Sequence, residues 1–138
     1  MFVLDTHTLT LAFHGHSTVT ARMNAVVQPV FISVVTRLEV LAGRSDAILK
    51  AENAERLLRA QAGYRASADF LDLFLVLWFD DRAAELSDRL RGAKGTKKVK
   101  LKDLLIACVA LAHEATLVTR NTKDFQGIPN LTLDNWAD

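Results

Sequence analysis

The residues of this chain best placed to do chemistry are four carboxylates that stand where a predicted strand ends or a predicted helix begins: Asp5, Glu39, Asp103 and Asp124. Carboxylates a few ångströms apart repel one another, and burying an ionised, unpaired one is costly unless a cation or bound protons compensate it. Oxygen ligands suit Mg²⁺ or Mn²⁺, and Mg²⁺ usually shares its coordination with substrate phosphate oxygens. If gathered in one pocket, these acids therefore predict metal-dependent hydrolysis of a phosphodiester.

Four apolar runs without polar alternation are predicted as the buried strands that position these acids: residues 2–4, 30–34, 75–79 and 116–119. Helical segments separate the runs, which implies parallel pairing through right-handed crossovers and helices on both faces of the sheet. In such sheets the functional crevice lies at the carboxyl ends of the strands. The four acids are therefore predicted to meet at one rim.

Between the second and third strands, the sequence predicts a helix that ends near a glycine. Residues 36–43 form this helix, with Gly43 as its C-cap or turn residue. A long amphipathic helix over residues 45–63 follows, because apolar positions recur on or near one side, and residues 65–74 form another. Glu39 then lies in the first turns of a helix that begins close to the end of a strand.

Length and composition are those of an ordinary globular protein, predicted to form a single domain over residues 1–138. The formal net charge of +1 gives no global sign of nucleic-acid binding, so basic patches have to be argued locally. No basic segment typical of a signal peptide is present, and the longest apolar run, residues 73–79, is too short to span a bilayer. A cytoplasmic protein without membrane contact is predicted.

Each acid also has a purely structural interpretation. Asp103 suits a helix start, where a carboxylate meets unpaired N–H groups, while Asp124 suits a turn and Glu39 a solvated helix position. Asp5 is harder to explain in this way, because it directly follows a buried strand and precedes a threonine. The occurrence of four acids at equivalent topological positions favours function over these separate interpretations.

A glycine-containing basic loop leads into the helix that carries Asp103. Residues 91–102 contain six Lys or Arg and no acid. A positive rim beside an anionic pocket would hold the phosphates that flank a cleaved bond, although solvated loop lysines give the same pattern. The candidate substrate-binding residues are Arg37, Lys98, Lys100, Lys102 and Arg120.

Four segments of the chain resemble PIN-domain ribonucleases and, among them, the VapC type of toxin. In the order of the family they are FVLDTHTL (2–9), ISVVTRLEVLAG (32–43), KDLLIACVALAHEATLVTRNTKDF (102–125) and IPNLTLDNW (128–136). Each is weak alone, but together they span nearly the whole chain. The resemblance implies a three-layer α/β/α sandwich with a central parallel sheet, endoribonuclease activity with Mg²⁺ or Mn²⁺, and a small cognate antitoxin as partner.

Carried over by position, the resemblance identifies the catalytic and metal-binding acids as Asp5, Glu39, Asp103 and Asp124. It gives supporting polar roles to Thr6, Thr119 and Asn121. The chain departs from the family at three positions: many relatives have Asn at the position of His7, glycine is frequent at Lys100, and some members carry a further acid at Asn121. No departure removes one of the four carboxylates, so RNA hydrolysis is expected.

Two other functions fit parts of the sequence. The apolar run, aspartate and threonine of residues 2–8 resemble the opening of haloacid-dehalogenase-like phosphatases, but that chemistry needs a second acid where His7 stands. A non-catalytic PIN-fold interaction module would keep the fold without the chemistry, and Trp78 and Trp136 are predicted in the core or in the interface of a homodimer. A zinc site is not predicted, because the histidines lack ligand spacing and companion cysteines.

Overall fold

A five-stranded sheet forms the centre of the fold in the computed structural model, which describes residues 1–138. The strands are β1 (Phe2–Leu4), β2 (Val30–Ser33), β3 (Leu75–Leu77), β4 (Thr116–Val118) and β5 (Leu133–Asp134). Their spatial order is β3-β2-β1-β4-β5, and every neighbouring pair is parallel. The N-terminal strand therefore lies in the middle of the sheet, between β2 and β4.

Seven helices cover the sheet: α1 (Thr6–Phe13), α2 (Ser17–Ala25), α3 (Val34–Leu49), α4 (Ala54–Leu71), α5 (Asp81–Arg91), α6 (Leu101–Ala112) and α7 (Thr122–Phe125). The apolar side chains form two separate cores, because successive strand residues point to opposite faces of a sheet. Val3 and Leu117 belong to the core beneath α5 and α6, whereas Leu4 and Val118 belong to the core beneath α1, α2 and α4. The predicted three-layer α/β/α sandwich with a parallel sheet is confirmed.

None of the seven helices combines the length and the apolar composition needed to cross a lipid bilayer. The most apolar of them, α6, is instead buried in the protein along most of its length, with Leu104 and residues 106–110 inside.

The predicted helix break at Gly43 is wrong. Helix α3 continues through this glycine to Leu49, and α4 begins at Ala54 after a short connection. The break lies at Asn53, whose Oδ1 accepts a hydrogen bond from the N–H of Arg56 at 2.9 Å and so caps α4. A glycine inside a helix costs only about 1 kcal/mol, and the packing of α3 along α4 outweighs that cost.

The third predicted strand is shorter than expected. It ends at Leu77, and the following Trp78 is exposed rather than in the core. The other tryptophan, Trp136, is buried against Phe2 with a ring-centroid distance of 5.1 Å. Its Nε1–H donates to Oδ2 of Asp134 at 2.9 Å. This buried N–H group therefore has a hydrogen-bond partner.

Two helices start directly at the carboxyl ends of central strands. Asp5 links β1 to α1 as the N-cap, and Ser33, the last residue of β2, is the N-cap of α3. The N–H of Thr36 donates to the hydroxyl of Ser33 at 3.2 Å. Both helix starts therefore bring their side chains to the same rim of the sheet, where a functional crevice is expected.

Candidate active site

Asp5 is held rigidly at the end of the central strand. Only 5% of its surface is exposed. Its Oδ1 accepts the N–H of Thr8 at 2.8 Å, and its own backbone N–H donates to the carbonyl of Val118 in β4 at 3.0 Å. Because backbone on both sides fixes this residue, its carboxylate has one orientation and lines the cleft at the rim.

Glu39 is positioned by a threonine from another helix. The hydroxyl of Thr6 in α1 donates to Oε1 of Glu39 at 2.9 Å and lies 3.1 Å from the hydroxyl of Thr36. The ammonium of Lys102 lies 3.9 Å from Oε2. Glu39 is therefore not a freely solvated helix residue but a carboxylate held by contacts from α1 and α6.

Asp103 is the third residue of α6, and its carboxyl feels the charges of the other acids. Burial raises its pKa above the usual value for aspartate, and the charges of Asp5 and Glu39 raise it further. Lys100 opposes this rise, and Asp124 adds a smaller one. The ionised form of Asp103 is therefore less favourable here than that of an isolated aspartate, and a cation would offset this cost.

A single open cleft of about 690 Å³ brings most of these residues together. Its lining includes one hydrophobic side chain and otherwise polar or charged residues: Asp5, Thr6, His7, Thr10, Glu39, Lys100, Leu101, Lys102, Asp103 and Asn121. Three of the four predicted acids thus line one cavity. The fourth, Asp124, lines a neighbouring depression, and its charge raises the pKa of Asp103 in the cleft. The other residues that line this depression are Gly95, Lys97, Lys98, Lys123 and Gly127.

The predicted supporting residues have different roles in the structure. Thr6 holds Glu39 directly. Thr119 is fully buried, and its hydroxyl accepts the backbone N–H of Asn121 at 3.1 Å, which fixes the turn that brings Asn121 to the cleft. The carbonyl of Asn121 in turn accepts the N–H of Asp124 at 3.0 Å. Thr119, Asn121 and Asp124 therefore connect the cleft to its neighbouring depression.

The predicted basic residues divide into two groups. Lys100 and Lys102 line the cleft, and Lys98 lines the neighbouring depression. Arg37 instead pairs with Asp72 at 3.1 Å, and Arg120 pairs with Asp138 at 3.2 Å; neither lines the cleft or the depression. Each of these arginines therefore forms an ion pair with an aspartate of the same chain, away from the cleft and the depression.

Two polar residues of the site, Thr10 and Thr36, were not predicted from the sequence, whereas His7, a departure from the family pattern, also lines the cleft. Thr10 lines the cleft, and its hydroxyl donates to the carbonyl of Thr6 at 2.9 Å. Thr36 contacts the hydroxyl of Thr6. Helical spacing was the available signal, because Thr10 follows Thr6 by four residues and Thr36 precedes Glu39 by three.

The donors in the cleft suit a hard divalent cation, because they are carboxylates together with the side-chain amide of Asn121. No three His, Cys, Asp or Glu side chains are grouped closely enough to hold a metal ion among them. An ion would therefore rely on fewer protein ligands, with water completing its coordination, as is usual for Mg²⁺. The raised pKa of Asp103 fits a cation here, since a positive charge would offset the burial and the carboxylate repulsion that raise it.

Comparison with known sequences finds a match to the PIN domain family over residues 2–131. The tRNA(fMet)-specific endonuclease VapC from Salmonella typhimurium is 27% identical over 140 aligned residues, which cover 99% of this chain and 98% of the relative. Ribonuclease VapC2 from Rickettsia felis is 65% identical over 34 residues, a quarter of each chain.

Solved structures with the same fold include toxin–antitoxin complexes. VapBC2 from Rickettsia felis, bound to a DNA fragment from its promoter, matches with a TM-score of 0.78 at 27% identity and covers 98% of both chains. A toxin–antitoxin complex from Klebsiella pneumoniae matches with a TM-score of 0.70 at 28% identity and covers 96% of both chains.

Proposed function

The chain belongs to the PIN domain family as a nuclease of the VapC type, and from that premise we propose that its acidic cleft hydrolyses RNA with Mg²⁺ or Mn²⁺. The observation that carries the proposal is the arrangement of Asp5, Glu39 and Asp103 around one cleft at the carboxyl ends of the strands. Isolated acids at helix starts would not raise the pKa of one another, whereas burial and the neighbouring carboxylates raise that of Asp103.

The residues that would hold the divalent ion are Asp5, Glu39 and Asp103, some of them through bound water because no three acids are close enough to contact one ion together, with Asp124 beside them. When bound, the ion stabilises the negative charge that develops on the phosphodiester during hydrolysis. Asp5 contributes a carboxylate whose position is fixed by hydrogen bonds to Thr8 in α1 and, through its backbone N–H, to Val118 in β4. The cleft wall contributes the ammonium groups of Lys100 and Lys102, which reduce repulsion between the carboxylates and an incoming phosphate.

We expect Thr6→Val to lower RNA cleavage by about 10-fold and to weaken Mn²⁺ binding, because residues that orient metal ligands have effects of this size. Valine keeps the shape of threonine but cannot donate to Oε1 of Glu39. Single-turnover cleavage rates and calorimetric titration with Mn²⁺ measure both effects. Thr10→Val is the matched control, since Thr10 lines the same cleft and its hydroxyl donates to a backbone carbonyl rather than to a carboxylate. Equal effects of the two substitutions would remove Thr6 from the mechanism.

The direct test of the proposed function is cleavage of RNA by the purified chain. Initiator tRNA is the first substrate to try, because full-length relatives are named for it. Cleavage is expected with Mg²⁺ or Mn²⁺, loss of cleavage with EDTA, and recovery when excess Mn²⁺ is added. A chain that binds no Mn²⁺ in calorimetric titration and cuts no RNA would instead be an interaction module. Hydrolysis of an aryl phosphate without action on RNA would favour the phosphatase alternative.

A cognate antitoxin is the partner that the solved neighbours indicate, since they are toxin–antitoxin complexes. A groove of about 390 Å³ between α1, α3 and α4 is the surface we propose for it. Half of its lining is hydrophobic, including Leu9, Phe13 and Phe70. It shares Thr6, Thr10 and Glu39 with the acidic cleft. A segment lying in this groove would therefore end at the active site and could block RNA.

Self-association is a further part of the proposal. The edge strand β3 is flanked by apolar side chains that remain in water, with Leu73, Leu75 and Trp78 exposed by 77%, 70% and 65%. An exposed edge strand with apolar neighbours favours pairing with a second copy. We therefore propose a homodimer, and sedimentation of the purified chain measures its mass. The proposed location of its activity on RNA is the cytoplasm.

A further inference from the structure

The basic loop between α5 and α6 is folded against the protein. Thr96 is buried, and its hydroxyl lies 2.7 Å from the carbonyl oxygen of Leu90 and 2.8 Å from that of Ala93. Gly95 has a φ of +89° and packs directly on the backbone of Gly127. A Cβ added at Gly127 would overlap the carbonyl oxygen of Gly95. The loop is therefore fixed at both of these points, and so are the lysines that follow them.

A second cavity, of about 380 Å³, lies where this loop meets α7. No hydrophobic side chain lines it; the lining consists of Gly95, Lys97, Lys98, Lys123, Asp124 and Gly127. Three ammonium groups thus face a single carboxylate. None of the three lysines forms an ion pair, although seven ion pairs occur elsewhere in the chain.

The depression and the acidic cleft are neighbours. Asp124 lines the depression, and its charge raises the pKa of Asp103 in the cleft. The loop that contains Lys97 and Lys98 continues into Lys100, which lines the cleft. When the phosphodiester bond to be cut lies among the acids, a neighbouring phosphate of the same polyanion can therefore reach the depression.

We propose that the depression formed by Lys97, Lys98 and Lys123 is a second phosphate subsite, which holds a phosphodiester of the same RNA strand away from the bond that is cut. Its shape and charge suit a phosphate, since the two glycines leave the backbone open and the lysines supply uncompensated positive charge. The subsite rests on the proposed function for its substrate. Its contribution is to binding, because none of the three lysines lines the cleft.

Substitution of the three lysines tests the subsite. In Lys97→Gln/Lys98→Gln/Lys123→Gln, all three changes are at exposed side chains, so the fold is retained. The matched control is Arg65→Gln/Arg82→Gln/Arg89→Gln on α4 and α5, which removes the same charge from exposed positions that form no ion pair and line neither cavity. Fluorescence anisotropy with a labelled single-stranded RNA, in EDTA, measures binding without cleavage.

The lysine variant is expected to bind an RNA of about 20 nucleotides at least about 10-fold more weakly than the control variant does, because phosphate contacts dominate such affinity. The slope of log Kd against log salt concentration should fall by about 2, that is about 0.7 for each lost contact. With Mn²⁺, KM is expected to rise more than kcat changes, and the rise should be smaller for an RNA of about four nucleotides, too short to reach the depression.

Equal weakening in the two variants would overturn the subsite and leave the proposed nuclease intact. A wild-type chain that binds RNA but cannot cut it would contradict the nuclease, while the comparison of the two variants would still test the subsite. A wild-type chain that binds no RNA would overturn both. The two proposals therefore fail in distinguishable ways.

Discussion

Asp5→Asn is expected to reduce RNA cleavage by at least about 100-fold, because the carboxylate that helps to hold the metal ion is lost and metal stabilisation is worth several kcal/mol. The fold should survive, since Oδ1 of Asp5 only accepts the N–H of Thr8 at the start of α1, and asparagine caps helices about as well as aspartate. Single-turnover cleavage with Mn²⁺ and thermal unfolding measure the two effects.

Asp80→Asn provides a closely matched control. Asp80 is the N-cap of α5, and its Oδ1 accepts the N–H of Ala83 at 2.8 Å, the same distance as in the Asp5 cap. The chemical change and the capping role are identical, but Asp80 lines neither the cleft nor the depression. We expect full cleavage from this variant. If Asp5→Asn kept wild-type cleavage, Asp5 would have no part in the reaction.

Asp103→Asn is expected to abolish cleavage and, in EDTA at neutral pH, to make the protein more stable. Burial together with the charges of Asp5 and Glu39 raises the pKa of Asp103 above its usual value of 3.8, so the folded state binds this proton more tightly than the unfolded state does. Stability therefore falls as the pH rises from about the unfolded pKa through the raised folded pKa. Asparagine carries no charge and removes that loss.

Thermal unfolding between acidic and neutral pH, in EDTA, measures this effect. The wild-type chain should lose stability over that interval relative to Asp103→Asn. Mn²⁺ should stabilise the wild-type chain more than the variant, since a ligand stabilises a protein according to how tightly it binds the folded state. Asp88→Asn, at an exposed position on α5 without an ion pair, controls for the loss of one negative charge. An Asp103→Asn protein less stable than wild type at neutral pH would contradict the proposed repulsion.

The two acids differ in what they contribute to the stability of the fold. Asp5 serves both the fold and the site, because its carboxylate caps α1 and lines the cleft. Asp103 does not cap its helix: no side chain caps the N-terminus of α6, whose N-cap is Lys100. The structural interpretation of Asp103 as a helix cap therefore has no hydrogen bond to support it.

The order of strands and helices could be predicted from the sequence because it depends on local patterns. Runs such as residues 2–4 and 116–118 have no polar face, which only a strand buried on both sides explains. Helix breaks were predicted less well. A glycine lowers helix stability only slightly, so the packing of α3 on α4 decided where the chain turns, and the capping residue Asn53 marks the turn.

The partners of the basic residues could not be predicted, because they depend on which acids the fold brings near. Asp72 lies 35 residues after Arg37 and Asp138 lies 18 after Arg120, yet each pair is within 3.2 Å. No local pattern encodes such a contact. The same holds for Gly95 and Gly127, whose close approach fixes the basic loop against α7.

The amino-acid pattern was enough to determine that this chain forms a parallel α/β sandwich with an acid at the end of its first strand and others at neighbouring helix starts. Alternation, apolar runs and capping residues act over a few residues and can be read locally. Only the tertiary structure decided that Asp5, Glu39 and Asp103 share one cleft while Asp124 lies beside a lysine-lined depression. Such neighbourhoods are set by crossovers and loop paths, in which residues about 30 to 100 positions apart meet through packing rather than through sequence proximity.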